Sequence, residues 1–337
     1  MTRLWIYRSI RNDERKYKMK PSKVVLSVVV MMACCLTGCK NEKEGARSIT
    51  PSEVTSVPET EQVKKPTIEL ATSEPEVTSI EENIEKEEQE QPSIQIMDVG
   101  DVFGDYTGCA VIYENEGHNY QVYHEEMARE QVSPYSTFKI VSTLVGLKNG
   151  ILVDEDTKME YNQKKYGIEA WNHDLTLSEA FQFSCVWYFR QMIDRVGQEQ
   201  MEKELIELHY GNHDVSEWEG ENHKEDAADI DGFWLRSSLK ISPMEQVEVL
   251  KKIFEGKSQF SNEEVDLLKK IMLTDECEIG KILGKTGTGM DEGWYVGILQ
   301  DTKIRKYFAV YIEGESKGMK ACGAEARKIV VKLMDRK

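Results

Sequence analysis

The pattern of apolar and polar positions between residues 93 and 337 predicts strands near both ends of this segment and helices between them. Residues 107–113 and residues 120–124 flank the turn-forming stretch ENEGHN, an arrangement typical of a β-hairpin. Three further strands and a closing helix are predicted at residues 282–288, 294–299 and 307–313 and from Ala321 onward. This order predicts an α+β domain whose sheet is made from both chain ends, with an inserted helical part and a cleft between the two.

Helices are predicted where apolar side chains recur every three or four residues. Residues 136–148 show this spacing, and residues 175–196 and 242–254 show it again. The second and third of these segments start at Thr176 and Ser242, each with a glutamate three positions later. That spacing is typical of a capping box, so both hydroxyl residues are predicted helix N-caps.

A basic segment and a short apolar run open the chain. Residues 1–39 contain eight Lys and Arg, and their apolar run at residues 24–36 is too short to span a bilayer comfortably. The run ends in Leu-Thr-Gly-Cys39, which looks like a lipobox. We interpret residues 1–39 as a lipoprotein signal peptide that starts at Met1 or at Met19, with a retained membrane helix as the alternative. Lipid on Cys39 would anchor an exported protein to the outer face of the cell membrane.

Residues 40–92 have the composition of a linker. They contain no aromatic residue, five of the eight prolines, and fourteen glutamates against six Lys and Arg. Such a segment cannot bury a core, and its charge favours an extended chain. We therefore predict a disordered acidic linker at residues 40–92 and a folded domain at residues 93–337.

Charge and cysteine content exclude two classes of protein. With 43 Lys and Arg against 60 Asp and Glu, the chain carries a net charge of −17, which opposes binding to nucleic-acid phosphates. Seven cysteines in 337 residues are too few for a disulfide scaffold, and they lack the spacing of zinc ligands. Four of them are predicted to be free and buried in the domain: Cys109, Cys185, Cys277 and Cys322.

A Ser-x-x-Lys motif supplies a candidate nucleophile. In a helix, the offset of three residues puts the hydroxyl of Ser136 and the amine of Lys139 on one face. Burial favours the neutral amine, which is able to act as a base toward the serine. The same spacing recurs at Ser237 and Lys240, so the motif alone carries little weight.

Two further motifs, taken together with the first, indicate a specific kind of site. Lys285-Thr286-Gly287 lies on a predicted strand, where a lysine and a hydroxyl are able to hold a carboxylate. Ser184 lies on the predicted middle helix, and Cys185 beside it is expected to face away from the cleft. The order Ser-x-x-Lys, mid-domain serine, Lys-Thr-Gly is the acyl-serine set of β-lactam-recognising proteins.

Several segments resemble class D β-lactamases, the oxacillinase type, across roughly residues 100–335. The matching segments are Pro134-Tyr135-Ser136-Thr137-Phe138-Lys139-Ile140, Ser184-Cys185-Val186, Tyr210-Gly211-Asn212, Phe233-Trp234-Leu235, Lys285-Thr286-Gly287-Thr288-Gly289 and Gly293-Trp294-Tyr295-Val296-Gly297. The resemblance implies a β-lactamase/transpeptidase-like fold, with a central antiparallel sheet flanked by helices and an inserted helical subdomain. It also implies hydrolysis of β-lactam antibiotics, and hence resistance to them.

By this resemblance, Ser136 attacks the lactam carbonyl, and Lys139 is carboxylated by CO2 to an N6-carbamate that acts as general base. Trp234 would donate its indole N–H to the carbamate, while Ser184 and Lys285 would pass a proton to the leaving nitrogen. The resemblance implies no metal, and no cofactor beyond CO2 or bicarbonate for Lys139. The oligomeric state is left open.

The same resemblance implies which residues bind the substrate. Thr286 would seat its carboxylate, and the backbone N–H groups of Ser136 and Thr288 would form the oxyanion hole. Tyr210 and Asn212 are expected to be structural. The implied substrate-binding residues are Val186, Trp234, Leu235, Thr286, Gly287 and Thr288.

One departure and two alternatives accompany this interpretation. Class D enzymes commonly carry an arginine after the last strand for the substrate carboxylate, and here only Arg327 is available. The chain also resembles the sensor domain of membrane penicillin receptors, which acylate but barely deacylate. A D,D-peptidase shares the serine and Lys-Thr-Gly motifs but lacks the Phe-Trp-Leu segment, so the hydrolase is the favoured hypothesis.

Overall fold

The computed structural model describes residues 93–221, 230–278, 280–300 and 305–336. These residues belong to the second of two compact units, Glu87–Lys337. The predicted signal peptide at residues 1–39 and the predicted linker at residues 40–92 lie outside the described residues. Within the described ranges, no helix combines the length and the apolar composition that crossing a membrane requires.

A seven-stranded sheet forms the centre of the domain. Its strands are β1 (Ser93–Ile96), β2 (Thr107–Glu114), β3 (Asn119–Tyr123), β6 (Leu273–Cys277), β7 (Gly280–Thr288), β8 (Glu292–Gln300) and β9 (Arg305–Glu313). Their spatial order is β1-β3-β2-β9-β8-β7-β6, and neighbouring strands run antiparallel, except that β1 pairs with β3 in parallel. Short strand pairs outside this sheet are β4 (Lys158–Met159) with β5 (Leu175–Thr176) and β10 (Glu315–Ser316) with β11 (Met319–Lys320).

Helices cover the sheet and form the inserted part. They are α1 (Gly100–Phe103), α2 (Glu125–Arg129), α3 (Lys139–Lys148), α4 (Leu177–Gln182), α5 (Val186–Val196), α6 (Gln198–Leu208), α7 (Pro243–Phe254), α8 (Asn262–Ile271) and α9 (Gly323–Met334), with 3-10 turns at Tyr135–Phe138 and Glu169–Trp171. The predicted α+β fold, with a sheet built from both chain ends and a helical insertion, is confirmed.

Burial of both sheet faces explains why the central strands read as apolar runs. All residues of β8 between its first and last are buried. One core cluster joins this sheet to α1 and α9 through side chains such as Phe103, Phe308 and Val330. The larger cluster joins it to the helical insertion through Phe138, Trp234 and other large apolar side chains. The candidate site lies on this second side.

The predicted helix at residues 175–196 is wrong in its middle, where α4 ends and α5 begins. Thr176 does cap α4 through a capping box, but Ser184 has a φ of +55°, which no α-helix contains. The Phe183 carbonyl accepts a hydrogen bond from the Trp171 indole N–H at 3.1 Å. This contact from another segment replaces a helical hydrogen bond, and helical spacing cannot reveal it.

The other two predicted helices form with smaller changes. Ser242 caps α7 through the predicted capping box with Glu245. The first turn of the predicted helix at residues 136–148 is a 3-10 turn, and the α-helix begins only at Lys139. Ser136 therefore lies in the tighter turn just before α3.

Candidate active site

Ser136 and Lys139 form a hydrogen-bonded pair at the start of α3. The Lys139 Nζ donates to Ser136 Oγ at 2.9 Å, and the lysine side chain passes 5.1 Å from the centre of the Phe189 ring. Lys139 is only 1% exposed. This burial lowers the pKa of Lys139 to about 7, so a large share of the amine is neutral at neutral pH.

The second Ser-x-x-Lys motif does not pair with itself. Ser237 Oγ donates to the Glu217 carboxylate at 2.6 Å, while Lys240 Nζ donates to Ser133 Oγ at 2.8 Å. Geometry thus separates two motifs that have the same spacing in the sequence. Of the two motifs, only Ser136 and Lys139 have a hydrogen bond between the lysine amine and the serine hydroxyl of the same motif.

Ser184 and Lys285 form a second serine and lysine pair, which joins the helical insertion to the sheet. The Lys285 Nζ donates to Ser184 Oγ at 3.0 Å and to the Thr286 carbonyl at 2.9 Å. Lys285 is fully buried in β7, and burial, followed by the charges of Lys139 and Arg327, holds its pKa well below the usual range. With its pKa lowered, the Lys285 amine is able to exchange a proton with the Ser184 hydroxyl.

The prediction that Cys185 faces away from this site rested on a continuous helix, and that helix is broken. Cys185 is the extended residue that precedes α5, and its side chain is fully buried. Burial raises the pKa of Cys185 to about 12, so the thiol stays protonated at neutral pH and is a poor nucleophile. The four predicted free cysteines are free, but Cys277 and Cys322 are only partly buried.

Trp234 contributes a buried indole donor. Its side chain is fully buried, and its Nε1–H finds no hydrogen-bond partner among the described residues. The ring packs 6.0 Å from Phe138, the residue before Lys139, and 5.7 Å from the buried Arg190 guanidinium. Because buried donors are almost always paired, this indole N–H is available to an acceptor that the described residues do not supply.

The strand β7 passes directly beside the nucleophile segment. A Cβ atom placed on Gly287 would lie 3.1 Å from the Pro134 carbonyl oxygen and 3.2 Å from the Thr137 methyl, which explains the glycine at this position. Thr288, next along β7, is exposed, and its hydroxyl accepts a hydrogen bond from the Gly323 N–H at the start of α9. The strand and the serine turn therefore face each other at close range.

The remaining predicted substrate-binding residues are partly accessible around the same place. Val186 at the start of α5, Leu235 next to Trp234, and Thr286 on β7 are each of intermediate burial. The Asn212 side chain donates to the Ser238 carbonyl and accepts from the Lys240 N–H, so it holds the segment that follows Trp234. Within the described ranges, no group of His, Cys, Asp and Glu has the arrangement of a metal site.

Arg327 is engaged by another side chain. Its guanidinium donates two hydrogen bonds to the Asp275 carboxylate, both at 2.7 Å, and lies 6.0 Å from the Tyr295 ring. This bidentate pair holds the arginine against β6.

Sequence reasoning missed Phe189 and Arg190, which pack on Lys139 and Trp234. Both lie on α5, and Phe189 follows Val186 by three positions. That spacing puts the two residues on one helix face, so Phe189 was recognisable once Val186 was placed in the site. Arg190 had no such signal, because its stacking on Trp218 and Trp234 depends on the tertiary fold.

Comparison with known proteins matches this geometry to a family. The sequence profile of the penicillin binding protein transpeptidase domain matches residues 103–335. The chain belongs to this family. The predicted resemblance to class D β-lactamases and to the sensor domain of β-lactam receptors is confirmed by the relatives that follow.

Two curated relatives represent these two kinds of protein. The probable β-lactamase YbxI of Bacillus subtilis is 30% identical over 245 residues, which cover 72% of this chain and 85% of that protein. The regulatory protein BlaR1 of Staphylococcus aureus is 33% identical over 233 residues, which cover 67% of this chain. The chain spans 38% of the length of that BlaR1 protein.

Solved structures show the same two kinds. A class D β-lactamase from Bacillus subtilis is 31% identical with a TM-score of 0.63, and the match covers 71% of this chain and 94% of that one. The C-terminal domain of the Bacillus licheniformis BlaR penicillin receptor is 29% identical with a TM-score of 0.64, over 72% of this chain and 96% of that one. The penicillin-binding fold is therefore shared with both hydrolases and receptors.

Proposed function

We propose that this protein is a class D serine β-lactamase, which hydrolyses β-lactam antibiotics through an acyl-enzyme on Ser136 and so gives resistance. The observation that carries the proposal is the unpartnered Trp234 indole N–H in the core beside the buried Lys139 segment. A sensor that only needs to be acylated has no use for a donor that retains a base for deacylation, whereas a hydrolase needs such a donor.

The residues around Lys139 fit its carboxylation by CO2. Only a neutral amine attacks CO2, and burial provides that amine near neutral pH because it lowers the pKa of Lys139 to about 7. The carboxylated side chain would supply a general base for acylation and for deacylation. The Trp234 N–H is a donor without an acceptor, as this modification requires.

The acylation step uses the two serine and lysine pairs in different roles. Ser136 Oγ attacks the lactam carbonyl as its proton passes to the Lys139 side chain, and the C–N bond of the ring then breaks. Ser184 gives its proton to the leaving nitrogen and recovers one from the protonated form of Lys285, whose Nζ lies 3.0 Å from Ser184 Oγ, and Lys285 then regains a proton from solvent. The Lys139 side chain then releases the proton taken from Ser136 to solvent. Water attacks the ester carbonyl as the Lys139 side chain takes its proton, and the C–O bond to Ser136 breaks as that proton passes to Ser136 Oγ.

Strand β7 would bind the substrate along its edge. Thr286 would seat the carboxylate, and the absence of a side chain at Gly287 lets the substrate approach the strand. Val186, Trp234 and Leu235 would form the apolar wall opposite. The backbone N–H groups of Ser136 and Thr288 would stabilise the oxyanion.

The chain is further proposed to be an exported lipoprotein. Cys39 would carry the lipid, and residues 40–92 would connect it to the catalytic domain. This part of the proposal rests on the sequence, since residues 1–92 lie outside the described residues.

A β-lactam sensor is the second candidate, and the identity of 33% to BlaR1 favours it. The two candidates differ in the lifetime of the acyl-enzyme. They share the serine, the first lysine and the fold.

Mass spectrometry of the purified protein with benzylpenicillin over time tests the proposal. We expect the mass of one penicillin to appear on Ser136 and then to disappear as the free enzyme returns. Ser136→Ala should show no adduct, while the matched variant Ser237→Ala should behave as the parent protein does. An adduct that persists for hours would support the sensor instead, and no adduct would contradict both candidates.

A further inference from the structure

Tyr135, the residue before the nucleophile, has an unusual backbone conformation. Its φ is +49°, in the left-handed region that bulky side chains rarely adopt, and its side chain is buried. Strained residues of this kind persist only where surrounding contacts hold them, and they concentrate at functional sites. The contacts of Tyr135 therefore indicate what the conformation is for.

Two hydrogen bonds hold Tyr135 from opposite sides. Its backbone N–H donates to the Trp234 carbonyl at 3.1 Å. Its phenol donates to the Glu292 carboxylate at 2.7 Å. Burial and this carboxylate raise the pKa of Tyr135, so the phenol remains a donor at any ordinary pH.

Glu292 in turn closes the turn between β7 and β8. Its backbone carbonyl accepts a hydrogen bond from the Gly289 N–H at 2.9 Å. The Tyr135 ring fills the space over Gly289 so closely that a Cβ atom there would lie 2.5 Å from its Cζ atom. The residue before Gly289 is Thr288, so the Tyr135 side chain reaches the strand end that carries the second oxyanion donor.

The two donors of the oxyanion hole belong to different elements, the serine turn and β7. We propose that the hydrogen bond between Tyr135 and Glu292 sets the spacing of the Ser136 and Thr288 N–H groups. Tyr135 and Glu292 are then positioning residues for acylation. The inference rests on the proposed acyl-serine function. Without this bond, Tyr135 is free to relax toward an ordinary φ, which moves the Ser136 N–H relative to β7.

The test is the acylation rate constant with a chromogenic cephalosporin, measured before the steady state over a range of substrate concentrations. Such data separate the acylation rate constant from the dissociation constant of the initial complex. We expect Tyr135→Phe and Glu292→Ala each to lower the acylation rate constant roughly ten- to a hundredfold, because a small displacement of an oxyanion donor costs part of its full effect. The dissociation constant should stay the same, since the substrate contacts remain.

Glu292→Gln supplies a conservative rescue, because its amide oxygen still accepts the phenol hydrogen. It should acylate much faster than Glu292→Ala, and the double variant Tyr135→Phe/Glu292→Ala should be no slower than either single variant. Tyr113→Phe is the matched control: Tyr113 is a buried tyrosine whose phenol is hydrogen-bonded to His118 at the β2–β3 hairpin. It should acylate as the parent protein does.

Three results would each overturn the inference. Tyr135→Phe could acylate at the parental rate, the variants could weaken only the initial binding of substrate, or Glu292→Gln and Glu292→Ala could acylate at equal rates. If Tyr135→Phe does not fold, the two Glu292 variants decide alone. Failure of the parent protein to form any acyl-enzyme would instead remove the proposed function, and this inference with it.

Discussion

Lys139 is buried, and among the described residues no carboxylate forms an ion pair with it. Its amine donates to the Ser136 hydroxyl and lies 5.1 Å from the centre of the Phe189 ring. Desolvation penalises the protonated form, so the folded protein holds a neutral amine at a cost that an apolar residue would avoid. The residue is thus suited to chemistry that begins with a neutral amine.

Carboxylation of Lys139 predicts an activity that depends on CO2 and on pH. As pH falls below about 7, the amine becomes protonated, carbamate is lost and activity should fall. Acid treatment with degassing should inactivate the protein, and added bicarbonate should restore it. Initial rates of penicillin hydrolysis at fixed pH, with and without bicarbonate, measure this.

Trp234→Phe sharpens the same measurement. The variant keeps an aromatic ring but loses the donor to the charged carbamate, a loss of about 1.5–3 kcal/mol, so roughly tenfold or more bicarbonate should be needed for half activity. Trp187→Phe, which removes a buried indole N–H bonded to the Trp171 carbonyl, is the control and should need no more than the parent protein. Lys139→Ala should not respond to bicarbonate at all. A parent protein indifferent to bicarbonate would contradict the carbamate.

At the scale of elements, two helix starts and the central strands were readable from the sequence. The capping boxes at Thr176 and Ser242 form as predicted, because they need only two residues of the same segment. The central strands were found to within two residues, since each is an apolar run bounded by turn signals. Both kinds of signal are local.

Other features of the site could not be predicted because their causes are distant in the sequence. The break between α4 and α5 depends on Trp171 and Lys285, and the strained Tyr135 depends on Glu292. The family resemblance supplied the roles of Ser184 and Trp234 without this geometry.

The cap of α7 gives a prediction about stability. Ser242→Ala removes the hydroxyl that accepts from the Glu245 N–H, so the free energy of unfolding should fall by about 1 kcal/mol. Urea denaturation followed by circular dichroism measures the change. Ser93→Ala, at an exposed position of the edge strand β1, should leave the midpoint unchanged. Equal midpoints for the two variants would show that the cap contributes nothing.

At the scale of the whole molecule, the proposed anchor and the proposed catalytic domain should be separable. Cys39→Ala should release the protein from membranes without altering hydrolysis, because an extended linker transmits no strain to a folded domain. Fractionation of cells followed by a hydrolysis assay of each fraction measures both effects. Retention of the variant in the membrane fraction would contradict lipid anchoring at Cys39.

The pairing of β2 with β9 also determines the order in which the molecule is able to fold. Thr107 lies opposite Glu313, so nearly the whole described chain separates two neighbouring central strands. Sheets dominated by such distant pairs form slowly, and until β9 is present the edge of β2 is open to other chains. A ribosome therefore completes almost the entire polypeptide before the sheet is able to close, and a chain shortened before Arg305 should aggregate rather than fold.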